Sequence, residues 1–163
     1  MTRLLGIDLG ERRIGLAIAD GDGSPARALQ TIRRGLTTTE DAHRIGTVAA
    51  ANQVGELVVG LPLEAAGHAG TQAESTRQWT VAISPLVGLP ITFRDERLTS
   101  HLAEQRLGPM KRGRSGGPPT PTQREAYRAR VDREAAAIIL QDELDARAAA
   151  RATSERNDME ASR

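Results

Sequence analysis

Apolar positions come in short blocks along the first part of the chain. Leu4, Leu5, Ile7 and Leu9 form one block, and Leu16, Ala17, Ile18 and Ala19 a second. Their length predicts two strands joined tightly through Gly10-Glu11-Arg12-Arg13. Asp20-Gly21-Asp22-Gly23-Ser24-Pro25 reads as a turn, and a third short strand is expected near Ala28 to Ile32. The period then changes. Thr37 and Glu40 have the spacing of a capping box, and Ala42, Ile45, Val48 and Ala49 give the helix behind them an apolar face.

The second half alternates in the same way. Glu56 to Gly60 is an apolar run suited to a strand covered on both faces. Leu61-Pro62-Leu63 and a glycine-containing loop through Gly67 and Gly70 lead to a helix expected from Thr71 to Ile83, closed by Pro85, Gly88 and Pro90. Ile91 to Arg94 predicts a further strand running into Asp95-Glu96-Arg97, and Thr99 or Ser100 can cap a short helix ending at Leu107. Residues 108 to 124 hold four prolines, several glycines and the basic side chains Lys111, Arg112 and Arg114. They are expected to form a mobile basic loop, either a solvated linker or a clamp for a polyanion. A last helix is expected from about Glu125 to Ala149, with a disordered tail over 150–163. Strands first, then helices and strands in alternation, predict one α/β domain over residues 1–149 with a mixed sheet.

One residue breaks the first apolar block. Asp8 places a carboxylate near the end of a strand that is apolar on both sides, with Gly6 and Gly10 around it. Burying such a group without a partner costs several kcal/mol, by the order of magnitude known for polar and charged groups. It either caps a turn or pairs with Arg12 or Arg13, or it faces a metal ion or phosphate at the mouth of the sheet. The second possibility requires other acids. Asp95 and Glu96 end a predicted inner strand, and because strand side chains alternate only one of them can face the way Asp8 does. Asp132 shares a helix face with Ala136, Ile139 and Leu140, which puts it on the buried side. Glu143 falls near that face but roughly 16 Å farther along the axis, too far to share an ion with Asp132. Asp142 and Asp145 are expected to be ordinary solvated charges.

Composition narrows the chemistry. The chain has no cysteine, which excludes disulfides, zinc-thiolate sites and cysteine nucleophiles. Histidines are scattered (His43, His68, His101), so three carboxylates from distant segments suit a hard cation, Mg²⁺ or Mn²⁺, rather than zinc. Paired cations of this kind, bridged by a phosphate, are a standard means of hydrolysing a phosphodiester. Net charge is +1, and every basic residue except Lys111 and the histidines is arginine. Arginine is the better bidentate phosphate ligand, although genome composition can also produce a lysine-poor, alanine-rich chain. Arg12, Arg13, Arg97, Arg128 and Arg130 are candidates to hold a nucleic-acid backbone, with Thr99 and the loop residues Lys111, Arg112 and Arg114 beside them. Phe93, Trp79 and Tyr127 are the only aromatics, too few for a base-stacking platform. No span has membrane length, so a cytoplasmic protein is expected.

Four blocks, LLGIDLGERRIGLAIAD, VVGLPLEAAGHAG, ITFRDERLTSHLAEQRL and YRARVDREAAAIILQDELD, in this order resemble the YqgF family, described both as pre-16S ribosomal RNA nucleases and as Holliday-junction resolvases. The resemblance runs to about Arg147. It implies an RNase H-like fold related to the RuvC resolvases: a five-stranded mixed sheet, its first three strands antiparallel, flanked by helices. It also implies a cytoplasmic bacterial nuclease that processes the 5′ end of the 16S precursor, either monomeric or a weak homodimer. Asp8, Glu96 and Asp132 match the family's acidic positions, with Asp95 the substitute for Glu96 should strand parity favour it. RuvC-type resolvases carry another acid one turn after the last one, where this chain has Ala135. The thinner set favours precursor RNA over a four-way DNA junction as substrate. An actin-like ATPase has a similar Gly-Ile-Asp-Leu-Gly loop but needs two such domains. A non-catalytic member of the fold would bind nucleic acid through the same basic loop.

Overall fold

A computed structural model describes residues 2–63, 70–96, 99–113 and 115–162. Five strands, β1 (Arg3–Leu9), β2 (Arg13–Ala19), β3 (Arg27–Arg33), β4 (Val54–Pro62) and β5 (Ile91–Glu96), form one sheet in the order β3-β2-β1-β4-β5. The first three are antiparallel, and β4 and β5 join β1 in parallel. The expected mixed five-stranded sheet is therefore the one observed. Parallel joining requires crossovers, supplied by α1 (Thr38–Ala51) between β3 and β4 and by α2 (Thr71–Val87) between β4 and β5.

Alternation along each strand divides the core in two. Leu5, Ile7, Ile14, Leu16, Ile18, Leu57 and Val59 point to the face covered by α1 and α2. Leu4, Ala17, Ala19 and Val58 point to the other, where α4 (Pro121–Ala161) brings Ala136, Ala137, Ile139 and Leu140. The short helix α3 (Thr99–Leu107) packs on α4 around Ala103, Val131, Ala135 and Ile138.

The first turn of α1 carries a fully buried acid, Asp41, facing α2. It accepts hydrogen bonds from Arg34 Nε (3.1 Å), Gly35 N (2.7 Å) and Trp79 Nε1 (3.0 Å). One carboxylate thus ties the β3–α1 turn to α2. Asp41→Ala would leave the Trp79 N–H buried without an acceptor, and we expect a loss of about 3 kcal/mol in urea unfolding. A change under about 0.5 kcal/mol would mean that these contacts do not hold the two helices together.

Three helix ends differ from expectation. Helix α2 continues through Pro85 to Val87, because the proline falls in the last turn and the carbonyl it deprives belongs to Val81, a residue 72% exposed to water. Helix α4 starts at Pro121 rather than near Glu125. Thr120 caps it, accepting from Gln123 N while the Gln123 side chain returns to the Thr120 N–H. Proline at the first helical position costs nothing, so Pro121 marks a start and not a break. At its other end α4 runs to Ala161 instead of about Ala149, exposed from Ala148 onward and rich in Ala, Arg and Glu, which favour helix without tertiary support. Among the described residues, 108–113 and 115–120 belong to the connection between α3 and α4.

Candidate active site

The last helix crosses the second face of the sheet strand by strand. Above β3, the Thr31 hydroxyl donates to the Ala129 carbonyl. Above β2, a Cβ on Gly15 would overlap the Asp132 carbonyl, so only glycine lets the helix backbone sit there. Farther along, Ile139 lies over Gly60 of β4, where a Cβ would come within 2.5 Å of its Cδ1. Beyond that, Glu143 lies 3.8 Å from Arg94 of β5, and Arg147 bonds Glu56.

Register determines which acids meet under this helix. Asp8 pairs with Gly15 on one side, and the β1–β4 pairing, continued one residue past Ile7–Val59, sets it beside Gly60 on the other. Gly60 in turn pairs with Arg94. Directly paired residues point to the same face, and so do residues two apart on a strand. Glu96 therefore shares the α4 face with Asp8, while Asp95 points to the opposite face and is exposed. A Cβ on Gly60 would lie 3.1 Å from the Glu96 carboxyl, so the space above this glycine is where Glu96 resides. The ambiguity between Asp95 and Glu96 resolves geometrically in favour of Glu96.

Asp8, half-buried, feels both other acids. Its pKa is raised well above the usual carboxylate value by burial, then by the charge of Glu96, then by that of Asp132. Burial also raises Glu96; a hydrogen bond from the Thr99 side chain opposes that shift and the charge of Asp142 adds to it. Glu96 Oε2 is buried and has no hydrogen-bond partner among the described residues. Two partly desolvated carboxylates repelling each other at the C-terminal ends of two parallel strands on either side of β4, one with a bare buried oxygen, form a donor set that a hard cation would neutralise. The residues present fit such an ion. Among the described residues no three His, Cys, Asp or Glu side chains already stand in a common coordination sphere. The Asp132 carboxylate is engaged by Arg13, whose Nε donates to Oδ2 at 2.6 Å while its Nη1 reaches Glu125 at 3.2 Å. Neither Arg12 nor Arg13 is paired with Asp8 among the described residues.

Other candidates fall into three groups. Arg12, Lys111, Arg112, Arg128 and Arg130 are exposed. Thr99 is buried beside Glu96 at the start of α3, a place from which it supports the acid more readily than it reaches a substrate. Arg97, Arg114 and His68 lie outside the described residues. Asp142 and Asp145 are exposed, as expected, although the charge of Asp142 still adds a little to the rise at Glu96. Glu143, by contrast, is taken up by ion pairs with Arg147 (2.9 Å) and Arg94.

Residues 2–146 match the RuvX family, described as Holliday junction resolvase. A protein of Acaryochloris marina (strain MBIC 11017) named "Putative pre-16S rRNA nuclease" is 42% identical over 146 residues, covering 86% of this chain and 90% of its own length. One of the same name from Anaeromyxobacter sp. (strain K) is 44% identical over 146 residues, covering 90% of this chain and 98% of its own. Among solved structures, T. thermophilus RuvC in complex with Holliday junction substrate has a TM-score of 0.51 at 15% identity, over 91% of this chain and 97% of that one. At that identity the likeness concerns the fold, and it bears out the expected RNase H-like architecture. Among the described residues no helix is long and apolar enough to cross a membrane.

Proposed function

We propose, for a chain that belongs to the RuvX family across residues 2–146, that it is a divalent-cation-dependent nuclease trimming the 5′ end of pre-16S rRNA in the cytoplasm. The observation that carries this reading is the pair Asp8 and Glu96, drawn from two strands onto one face and both held with raised pKa values by burial and, at Asp8, by the neighbouring acids. Together with Asp132 they would hold Mg²⁺ or Mn²⁺. Such ions supply charge neutralisation at a scissile phosphate and water of lowered pKa. The protein's own part is positional. Thr99 holds the Glu96 carboxylate, Gly60 leaves it room, and α4 sets Asp132 over β2. The exposed guanidiniums of Arg12, Arg128 and Arg130 would grip backbone phosphates, with Lys111 and Arg112 reaching from the loop. Arg97 and Arg114 take the same role in this reading from their sequence positions alone.

Cleavage of a four-way DNA junction is the alternative, favoured by the family's description. RNA is preferred because the helix position one turn after Asp132 is Ala135, fully buried against Ala103, Val131 and Ile138, where a further acid has no room. A single RNA cut also needs only one site, so a monomer or weak homodimer suffices. The test uses labelled 16S precursor and a four-way junction with Mn²⁺, with Mg²⁺ and with chelator. We expect metal-dependent shortening of the RNA 5′ end and little junction cleavage. Junction cleavage with intact RNA would reverse the substrate assignment. Cleavage of neither would leave a nucleic-acid-binding module.

A further inference from the structure

Arg13 is the first residue of β2, at the mouth of the site, and its guanidinium is shared between two acids. Nε donates to Asp132 Oδ2 at 2.6 Å, and Nη1 donates to Glu125 Oε1 at 3.2 Å and to Oε2 at 3.4 Å. The inner contact is well shielded, with the Arg13 and Asp132 side chains 17% and 22% exposed, whereas Glu125 is 48% exposed. A divalent cation drawn to Asp132 would repel the Arg13 guanidinium and compete with it for the same carboxylate, so each weakens the other's hold. A phosphodiester, however, offers Arg13 the same bidentate geometry that the carboxylates do.

From this competition we infer that Arg13 is a positioning residue that couples cation binding to nucleic-acid binding. The inference rests on the reading of Asp8, Glu96 and Asp132 as a cation site. In the free protein Arg13 is parked on Asp132. A backbone phosphate entering at the β1–β2 turn draws the guanidinium away, and Asp132 is released to complete the cation site beside Asp8. By reciprocity the cation, in taking Asp132, frees Arg13 for phosphate.

The experiment measures binding without turnover. Mn²⁺ is titrated calorimetrically into the full chain, alone and with a saturating single-stranded 2′-O-methyl oligoribonucleotide that resists cleavage. The oligonucleotide should tighten Mn²⁺ binding to the wild type about fivefold or more. Arg13→Gln should bind Mn²⁺ in the absence of oligonucleotide more tightly than the wild type does, and the oligonucleotide should add little. Asp132→Asn supplies a second variant. In chelator it should bind the oligonucleotide more tightly than Asp8→Asn does, although both remove one negative charge, because only the former unparks Arg13. Undiminished coupling in Arg13→Gln, or equal oligonucleotide affinities for the two Asn variants, overturns the inference. The cation site has its own arm: Mn²⁺ binding that persists in Asp8→Asn sinks the site reading, whereas its loss there upholds that reading whatever Arg13 does.

Discussion

Asp8→Asn should abolish cleavage and at the same time make the cation-free protein more stable. Both effects follow from one carboxylate. With the proposed ligand gone, several kcal/mol of transition-state stabilisation are lost, a rate reduction of about a thousandfold or more. The stability effect runs the other way because the folded-state pKa of Asp8 is raised, by burial first and then by Glu96 and Asp132. For an acid with a raised folded pKa, the favourable contribution is fully present below the unfolded pKa. It is lost as pH climbs from that value through the folded one. At neutral pH a carboxyl with a raised folded pKa opposes folding relative to a neutral side chain, and Glu96 acts with the same sign. Melting curves in chelator should therefore place the Asn variant above the wild type at pH 7 to 8, with the difference shrinking toward pH 4. Adding Mn²⁺ should favour the wild type and reverse the order. Equal melting temperatures across that range in chelator would mean that Asp8 is adequately solvated, and the cation-site reading would lose its electrostatic support.

Gly15→Val should be the most damaging small substitution in the sheet. The new Cβ would meet the backbone carbonyl of Asp132, which cannot rotate aside as a side chain can. Helix α4 must lift, at a cost of about 1–3 kcal/mol or more for an overpacked contact. A displacement of about 1 Å at Asp132 can lower cleavage roughly a hundredfold even in molecules that remain folded. Gly46→Ala is the matched contrast. It sits in α1 with nothing within 4 Å of its would-be Cβ, so alanine should stabilise the helix by about 0.5–1 kcal/mol without touching activity. If Gly15→Val melted like the wild type, the close approach of α4 to β2 would not exist in solution.

Much of this is legible in the sequence. A carboxylate in an apolar block marks itself, because burial of charge is costly wherever the chain folds. That singled out Asp8, and the 3.6-residue period singled out Asp132. The choice between Asp95 and Glu96 could not be made in the same way. Parity within β5 is local, but parity relative to Asp8 depends on two registers, β1 on β4 and β4 on β5, which no short window of sequence contains. The Arg13–Asp132 pair joins residues 119 apart and was equally hidden. The start of α4 was legible and was missed for a specific reason: among Pro118, Pro119 and Pro121, the last is a helix-starting proline behind a threonine cap, and proline density alone suggested only a loop.

The diagonal seat of α4 has a consequence for how the molecule is made. The helix touches β1, β2, β3, β4 and β5, and every one of those strands precedes it in the chain. During synthesis, at about 5–20 residues per second, the strands and the two crossover helices emerge while the glycine-floored face of the sheet is still bare. Loop closure over such separations is slow, so this docking should be a late event. Until it happens Asp132 is absent, Arg13 has no inner partner, and the two strand-borne acids stand alone. A nascent or truncated chain thus cannot bring the three proposed acids together, and that arrangement should be gained in one step with completion of the core.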